Sequence, residues 1–287
     1  MSEYVIMPKD HWVAALDKVR EKAGTTEPIF SDGLAMYIEN LDGSSGDDLA
    51  VRLVERTLAN VEIPEGATSV GNYAFYKYSV LDSVVIPNGV TEIGLYAFSE
   101  SSALKSVDGC EGVTTINTGA FKKSGVTSVS FPSATRLSVE CFAECTSLIS
   151  ADLPSVTELG RASSNSYGSK AFYNCTALKN VNIPLVTAVG HYSFLGCTSL
   201  EYIALPSIQT LTYSAFNGCS NLKVVNFSGV TSIPTLGNST VFANVPDTCK
   251  LVIPDALYDE WIAATNWSAL TLTYVKASEY VAEEAEA

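Results

Sequence analysis

The stretch Leu81-Asp-Ser-Val-Val-Ile-Pro-Asn-Gly-Val-Thr-Glu-Ile-Gly-Leu-Tyr-Ala-Phe98 holds one complete structural unit. Leu81, Val84 and Ile86 turn to one side of a short strand, and Pro87 ends it because proline cannot donate to a ladder. Val90 and Ile93 point inward again after the Asn88-Gly89 turn. Ala97 and Phe98 close the coil, the small residue making room for the ring. A single coil of this kind cannot bury its own apolar edge, so the unit predicts stacked neighbours, each covering the next.

The neighbours are in the chain. A small residue before Phe recurs at Ala74-Phe75, Ala97-Phe98, Ala120-Phe121, Cys141-Phe142, Ala171-Phe172, Ser193-Phe194, Ala215-Phe216 and Val241-Phe242, with Phe spacings of 23, 23, 21, 30, 22, 22 and 26. An apolar residue before proline keeps step at Ile63-Pro64, Ile86-Pro87, Phe131-Pro132, Leu153-Pro154, Ile183-Pro184, Leu205-Pro206 and Ile253-Pro254; Gly109-Cys110 and Phe227-Ser228 fill the same slot. Such persistence at one period is the signature of a repeat solenoid. About nine coils at roughly 4.8 Å each give a body on the order of 40 Å long. The two long intervals read as insertions where loops leave the stack, one around Gly160–Gly168 and one around Pro234–Gly237.

The unit L-x-x-V-x-I-P-x-x-V-T-x-I-G-x-x-A-F-x-x-C resembles the BspA-like leucine-rich repeats of bacteria, over about residues 60–254. The resemblance implies a right-handed, β-rich coil stack with a small helical N-terminal segment and a helical C-terminal cap. It also implies binding to host surfaces or matrix components, without supplying ligand residues. Residues 253–268 look like the terminal cap that follows such repeats in gut Firmicutes and their phages. Residues 16–29, Leu16-Asp-Lys-Val-Arg-Glu-Lys-Ala-Gly-Thr-Thr-Glu-Pro-Ile29, are similar to a segment that precedes them in phage tail-associated proteins.

The ends lack the repeat. Asp10 is placed to cap a helix carrying Trp12, Val13, Leu16 and Val19 on one face, a second helix starts at Ser31-Asp32, and a third runs from Leu49 to Leu58. The expected organisation is a helical attachment segment over 1–45, a linking helix over 46–60, the solenoid over 61–254, a cap over 255–275 and an acidic tail over 276–287. Within the cap, Leu257, Trp261 and Ile262 are expected to face the stack. Met1–Asp10 has neither a basic n-region nor an apolar h-region, so synthesis in the cytoplasm without a signal peptide is expected, and no run is long enough to span a membrane.

A formal net charge of -14 opposes nucleic-acid phosphates and anionic lipid, and leaves neutral or cationic partners. Cys145, Cys175, Cys197 and Cys219 each lie three residues after a repeat Phe, a column that reads as buried free thiols. No CxxC exists and His11 and His191 are far apart, so neither a metal nor another cofactor is expected. Ser102-Ala-Leu-Lys105 matches an S-x-x-K pattern, but Leu104 is a core position and no S-D-N or K-T-G element accompanies it. No catalytic constellation is expected.

The remaining chemistry lies in rows along the strands. One row holds Glu62, Val85, Asp108, Ser130, Asp152, Asn182, Ala204, Asn226 and Val252; others carry Lys105 and Lys179, and Ser150, Asn180 and Tyr202. Asp108, Ser130, Asp152, Asn182, Tyr202, Asn226, Lys105 and Lys179 form the candidate binding face. Its hydroxyls, amides and carboxylates serve either to hydrogen-bond a sugar or simply to solvate a sheet. Tyr73, Tyr96 and Tyr192, two residues before their Phe, form either an aromatic docking strip or a cover for the coil edge. The expected protein is a binding or structural one on a virion or extracellular surface. Its partner is a protein or glycan on a cell surface, with virion proteins engaged through the N-terminal segment; a bacterial surface adhesin is the alternative.

Overall fold

The computed structural model describes residues 58–63, 66–160 and 169–281. The helical segments expected upstream, the insertion at residues 161–168 and residues 282–287 lie outside them. Leu58 and Ala59 are not helical and lead straight into the first strand.

Long and short strands alternate along the chain. The first half holds β1 (Asn60–Glu62), β2 (Ser69–Val70), β3 (Ser83–Val85), β4 (Glu92–Ile93), β5 (Ser106–Asp108), β6 (Thr115–Ile116), β7 (Ser128–Ser130), β8 (Arg136–Leu137) and β9 (Ser150–Asp152). The second holds β10 (Glu158–Leu159), β11 (Asn180–Asn182), β12 (Ala188–Val189), β13 (Tyr202–Ala204), β14 (Thr210–Leu211), β15 (Val224–Asn226), β16 (Thr235–Leu236), β17 (Lys250–Ile253) and β18 (Thr273–Lys276). All pairings are parallel and join each coil to the next. The short strands form one eight-stranded sheet, and the long strands form three sheets in succession, β1-β3-β5, β7-β9-β11 and β13-β15-β17-β18. The sequence unit had suggested one strand per coil; the V-T-x-I segment supplies a second, because Ile93 and its equivalents must also be buried between coils.

A third side is built from turns around each Phe. Ala74, Tyr76 and Tyr78 donate their N–H to Gly71, Tyr73 and Phe75 within the coil, while Tyr73, Phe75 and Lys77 donate to Leu95, Ala97 and Ser99 of the next. Every second residue thus serves the stack. This geometry puts Tyr73, Tyr96, Glu140, Lys170, Tyr192 and Ser214, and again Lys77, Glu100, Lys123, Glu144, Asn174 and Asn244, at φ between 47° and 60°. Side chains there cost about 1 kcal/mol each, and the inter-coil bonds hold them in place.

The core is a set of columns parallel to the stack. The rings from Phe75 to Phe242 lie face to face at 5.1–5.5 Å with interplanar angles of 2–14°. Leu81, Leu104, Val126, Leu148, Leu178, Leu200 and Leu222 form a second column with no exposed surface. All seven cysteines are free and buried. The thiols of Cys145, Cys175, Cys197 and Cys219 donate to the carbonyls of Phe121, Phe142, Phe172 and Phe194 in the preceding coil, at 2.8–3.1 Å. Ser101 does the same to Phe75, so the slot wants a small donor as much as a small apolar group. Burial pushes the thiols of Cys145 and Cys219 up to about 12.

The C-terminal end differs from expectation in one respect. After β17 come a 3-10 turn at Asp255–Leu257, helix α1 (Tyr258–Ala263) and a second 3-10 turn at Trp267–Ala269. The chain then returns to the sheet, where β18 pairs with β17 along Lys250–Ile253. The helical cap is therefore an elaborated coil, and β18 is the last strand among the described residues. Trp261 and Trp267 are fully buried against Phe227, and Trp267 Nε1 donates to Pro234 O at 2.8 Å. Ile262, expected to face the stack, is 39% exposed, because one helical residue rotates the side chain about 100° away from its neighbour. Among the described residues no helix is long and apolar enough to cross a membrane.

Candidate binding face

The long strands decide which side chains reach solvent. With three residues per strand, the middle one points inward and the two flanking it point out. Val84, Val107, Val129, Ala151, Ile203 and Val225 are accordingly buried. The third-position rows coincide with the register: Glu62, Val85 and Asp108 align, as do Ser130, Asp152 and Asn182, and Ala204, Asn226 and Val252, of which Val252 is buried at the C-terminal end. Ser128, Ser150 and Asn180 form the matching first-position row of the middle sheet.

Five of the candidate residues are drawn into two hydrogen-bonded groups. Ser130 Oγ donates to Asp152 Oδ2 at 3.2 Å and Asn182 Nδ2 donates to Asp152 Oδ1 at 2.7 Å. Asn226 Nδ2 donates to the Tyr202 hydroxyl at 3.1 Å. Tyr202 starts in the first-position row and Asn226 stands in the third, so the ring lies across the face. Lys105 is engaged elsewhere, with Asp82 at 2.6 Å, and Asp108 stands on the same coil. Both precede the interruption between β5 and β7, away from the Asp152 group. Lys179 is exposed beside Glu201, whose carboxyl is held below its ordinary value by the hydrogen bond and charge of Lys223, with Lys179 adding to the effect. Exposed pairs of this kind contribute little to stability.

A notch of about 230 Å³ opens in the face, lined by Ser150, Ala151, Asp152, Asn180, Val181, Asn182 and Tyr202. It coincides with the interruption between β11 and β13, which no ladder joins. The N–H of Ile86, Leu153, Leu205 and Phe227 each bonds to the next coil at 2.7–2.9 Å; Ile183, in the same slot, makes no such bond among the described residues. Val181, an inward position, is only half-buried there. Sequence reasoning placed the walls of this notch in the rows but gave no sign of the interruption, since Asn180-Val-Asn182 has the same pattern as its neighbours.

The tyrosine strip is partial. Tyr73 and Tyr96 stack at 5.4 Å, but Gly119, Glu140 and Lys170 follow in the column before Tyr192. Among the described residues no group of His, Cys, Asp and Glu has the arrangement of a metal site.

The family model described as the BspA type leucine-rich repeat region matches residues 55–166 and 161–260, with 6 copies. Among solved structures, a leucine-rich repeat protein from Bacteroides ovatus ATCC 8483 is similar with a TM-score of 0.49 and 23% identity, over 79% of this chain and 64% of that one. A T. pallidum leucine-rich repeat protein is similar at 0.43 and 22%, over 67% of this chain and 79% of its own. A leucine-rich cell surface protein from Faecalibacterium prausnitzii A2-165 is similar at 0.35 and 19%, over 75% and 82%. No curated protein matches the chain.

Proposed function

Because the chain belongs to the BspA-type leucine-rich-repeat family, whose solenoids are binding scaffolds, we propose that it is a non-enzymatic binding protein presenting its long-strand face to a protein or glycan on a cell surface. One observation carries this reading. The inward positions of the middle sheet are occupied by packing, while its outward positions hold Ser130, Asp152, Asn182 and Asn180 in register, with hydrogen-bonding capacity to spare. The thiols also argue against catalysis: a cysteine pushed up to about 12 by burial is the reverse of an activated nucleophile.

In its finer form the reading is a virion or phage-tail protein, with residues 1–45 as the attachment segment and the coils directed outward. The similarity of residues 16–29 to segments ahead of such repeats supports it. The family itself supports a second reading, a bacterial cell-surface adhesin. Antibody labelling of purified phage particles and of cell envelopes separates the two.

The face is tested by binding of labelled protein to intact bacterial and epithelial cells. Asp152→Lys with Asn182→Lys on the long-strand face should abolish binding. Glu92→Lys with Glu158→Lys on the short-strand face should leave it intact. Equal loss in both pairs refutes the assignment of the face.

A further inference from the structure

We propose that the notch between β11 and β13 is a monosaccharide subsite, taking one neutral pyranose unit at the end of a glycan. The inference rests on the binding reading above and deepens it to a place and a ligand class.

Three features converge on that chemistry. The first is an aromatic wall. Tyr202 is 44% exposed, and its hydroxyl is tied by Asn226 at 3.1 Å, which fixes the ring as an end wall. A ring held edge-on to the face offers its apolar side to the C–H face of a pyranose, with little side-chain freedom to lose on binding. The second is a set of hydrogen-bonding groups matched to hydroxyls. Asp152 already accepts from Ser130 and Asn182, which orients its carboxylate, and a carboxylate with about four lone-pair sites keeps room for donors from outside. Asn180 and Ser150, on the opposite wall, both donate and accept. The third is the interruption of the sheet. No ladder joins β11 to β13, and Ile183, like Gly109 at the break between β5 and β7, lacks the inter-coil bond made where the coils are joined. The coils therefore part where Asn180, Val181 and Asn182 line the notch, which leaves room between them for a ligand.

Size and charge narrow the class. About 230 Å³ is the volume of roughly eight water molecules, which suits one sugar ring. The wall carries the carboxylate of Asp152 and the whole chain is acidic, so sulfated, phosphorylated and sialylated units are repelled. A protein strand laid along the break is the rival occupant, and a lysine-rich peptide drawn to Asp152 is another.

The experiment titrates the full chain with methyl glycosides of glucose, galactose, mannose and N-acetylglucosamine, followed by saturation-transfer NMR. It is repeated with Tyr202→Ala, Tyr202→Phe, Asp152→Ala and the remote Thr176→Ala. At least one glycoside should bind with a Kd on the order of 1 mM, the level expected of a ligand with so few atoms. Tyr202→Ala and Asp152→Ala should weaken it at least tenfold, Tyr202→Phe, which keeps the ring but loses the Asn226 tie, should weaken it less than Tyr202→Ala, and Thr176→Ala should stay within about threefold. Melting temperatures of the variants confirm that they fold. Glycoside binding unchanged by Tyr202→Ala overturns the subsite and leaves a glycan-binding face elsewhere on the solenoid. Binding to none of the glycosides, or displacement only by a lysine-rich peptide or a β-strand peptide, overturns the sugar assignment. The cell-binding experiment on Asp152 and Asn182 then stands independently of it.

Discussion

Phe172→Ala removes a ring from the middle of the aromatic column. The ring is fully buried and stacked on Phe142 at 5.4 Å and on Phe194 at 5.3 Å. Burying a phenylalanine is worth about 1.5–3 kcal/mol in transfer alone. The cavity left behind adds to this, since the neighbouring coils are spaced by inter-coil hydrogen bonds, in three sets towards Phe142 and two towards Phe194, and cannot readily collapse. The upper part of the usual 3–5 kcal/mol range for such changes is therefore expected, at about 4–5 kcal/mol. Phe242 offers an internal comparison: it is 4% exposed, stacks on Phe216 at 5.5 Å and on its other side meets Trp267 only at a tilted 6.3 Å. Phe242→Ala should cost about 3 kcal/mol, and Thr176→Ala, on the surface, no more than about 0.5 kcal/mol. Urea unfolding followed by circular dichroism measures all three. Because each coil touches only its neighbours, a weak central coil should also broaden or split the transition as the two halves uncouple. If Phe172→Ala costs no more than Thr176→Ala, or less than Phe242→Ala, the ring column does not hold the stack together.

The buried thiols give a pH-dependent signature. Burial raises all four, those of Cys145 and Cys219 to about 12, against about 8.5 in an unfolded chain, so the stability linked to the neutral thiol is complete below pH 8.5 or so and falls as the pH climbs above it. Native protein at pH 8 should resist thiol reagents at Cys145, Cys175, Cys197 and Cys219 until denaturant is added, and rapid labelling would contradict the column. Gly112→Ala should be severely destabilising, since a Cβ there would lie 2.1 Å from the Asn88 carbonyl oxygen; Ser214→Gly, at φ 53°, should gain about 0.5–1 kcal/mol by calorimetry. Removing residues 255–287 should uncover Phe227 and the β17 edge, and size-exclusion chromatography should show aggregation; a monomeric, cooperatively melting product would mean the cap is dispensable.

The repeat frame was legible because it rests on large residues at fixed intervals. Phe98, Leu104 and Ile93 each announce a buried column before any coordinate is known. The short strands were not, because two residues such as Glu92-Ile93 carry no alternation to read. The left-handed positions were hidden for another reason: they hold Tyr, Lys, Glu and Asn, where sequence rules look for glycine, and only the inter-coil bonding explains why they are tolerated. β18 escaped notice because Thr273-Tyr-Val-Lys276 lacks the leucine and proline landmarks. At the candidate face, residue identities were readable from the rows, whereas the Tyr202–Asn226 contact and the break beside β11 depend on how neighbouring coils meet, which no single coil encodes.

The columns have a genetic consequence. A coil from Leu178 to Ser199 enters and leaves the stack at equivalent points, Leu178 and Leu200 lying in the same column and Cys175 and Cys197 making the same bond. Unequal recombination between two such points deletes or duplicates a coil while every remaining junction still joins like to like. The length of the face can then change by one strand spacing per event, about 4.8 Å, without a new core having to evolve. Related chains would therefore differ in reach before they differ in architecture, as rulers cut from the same stock.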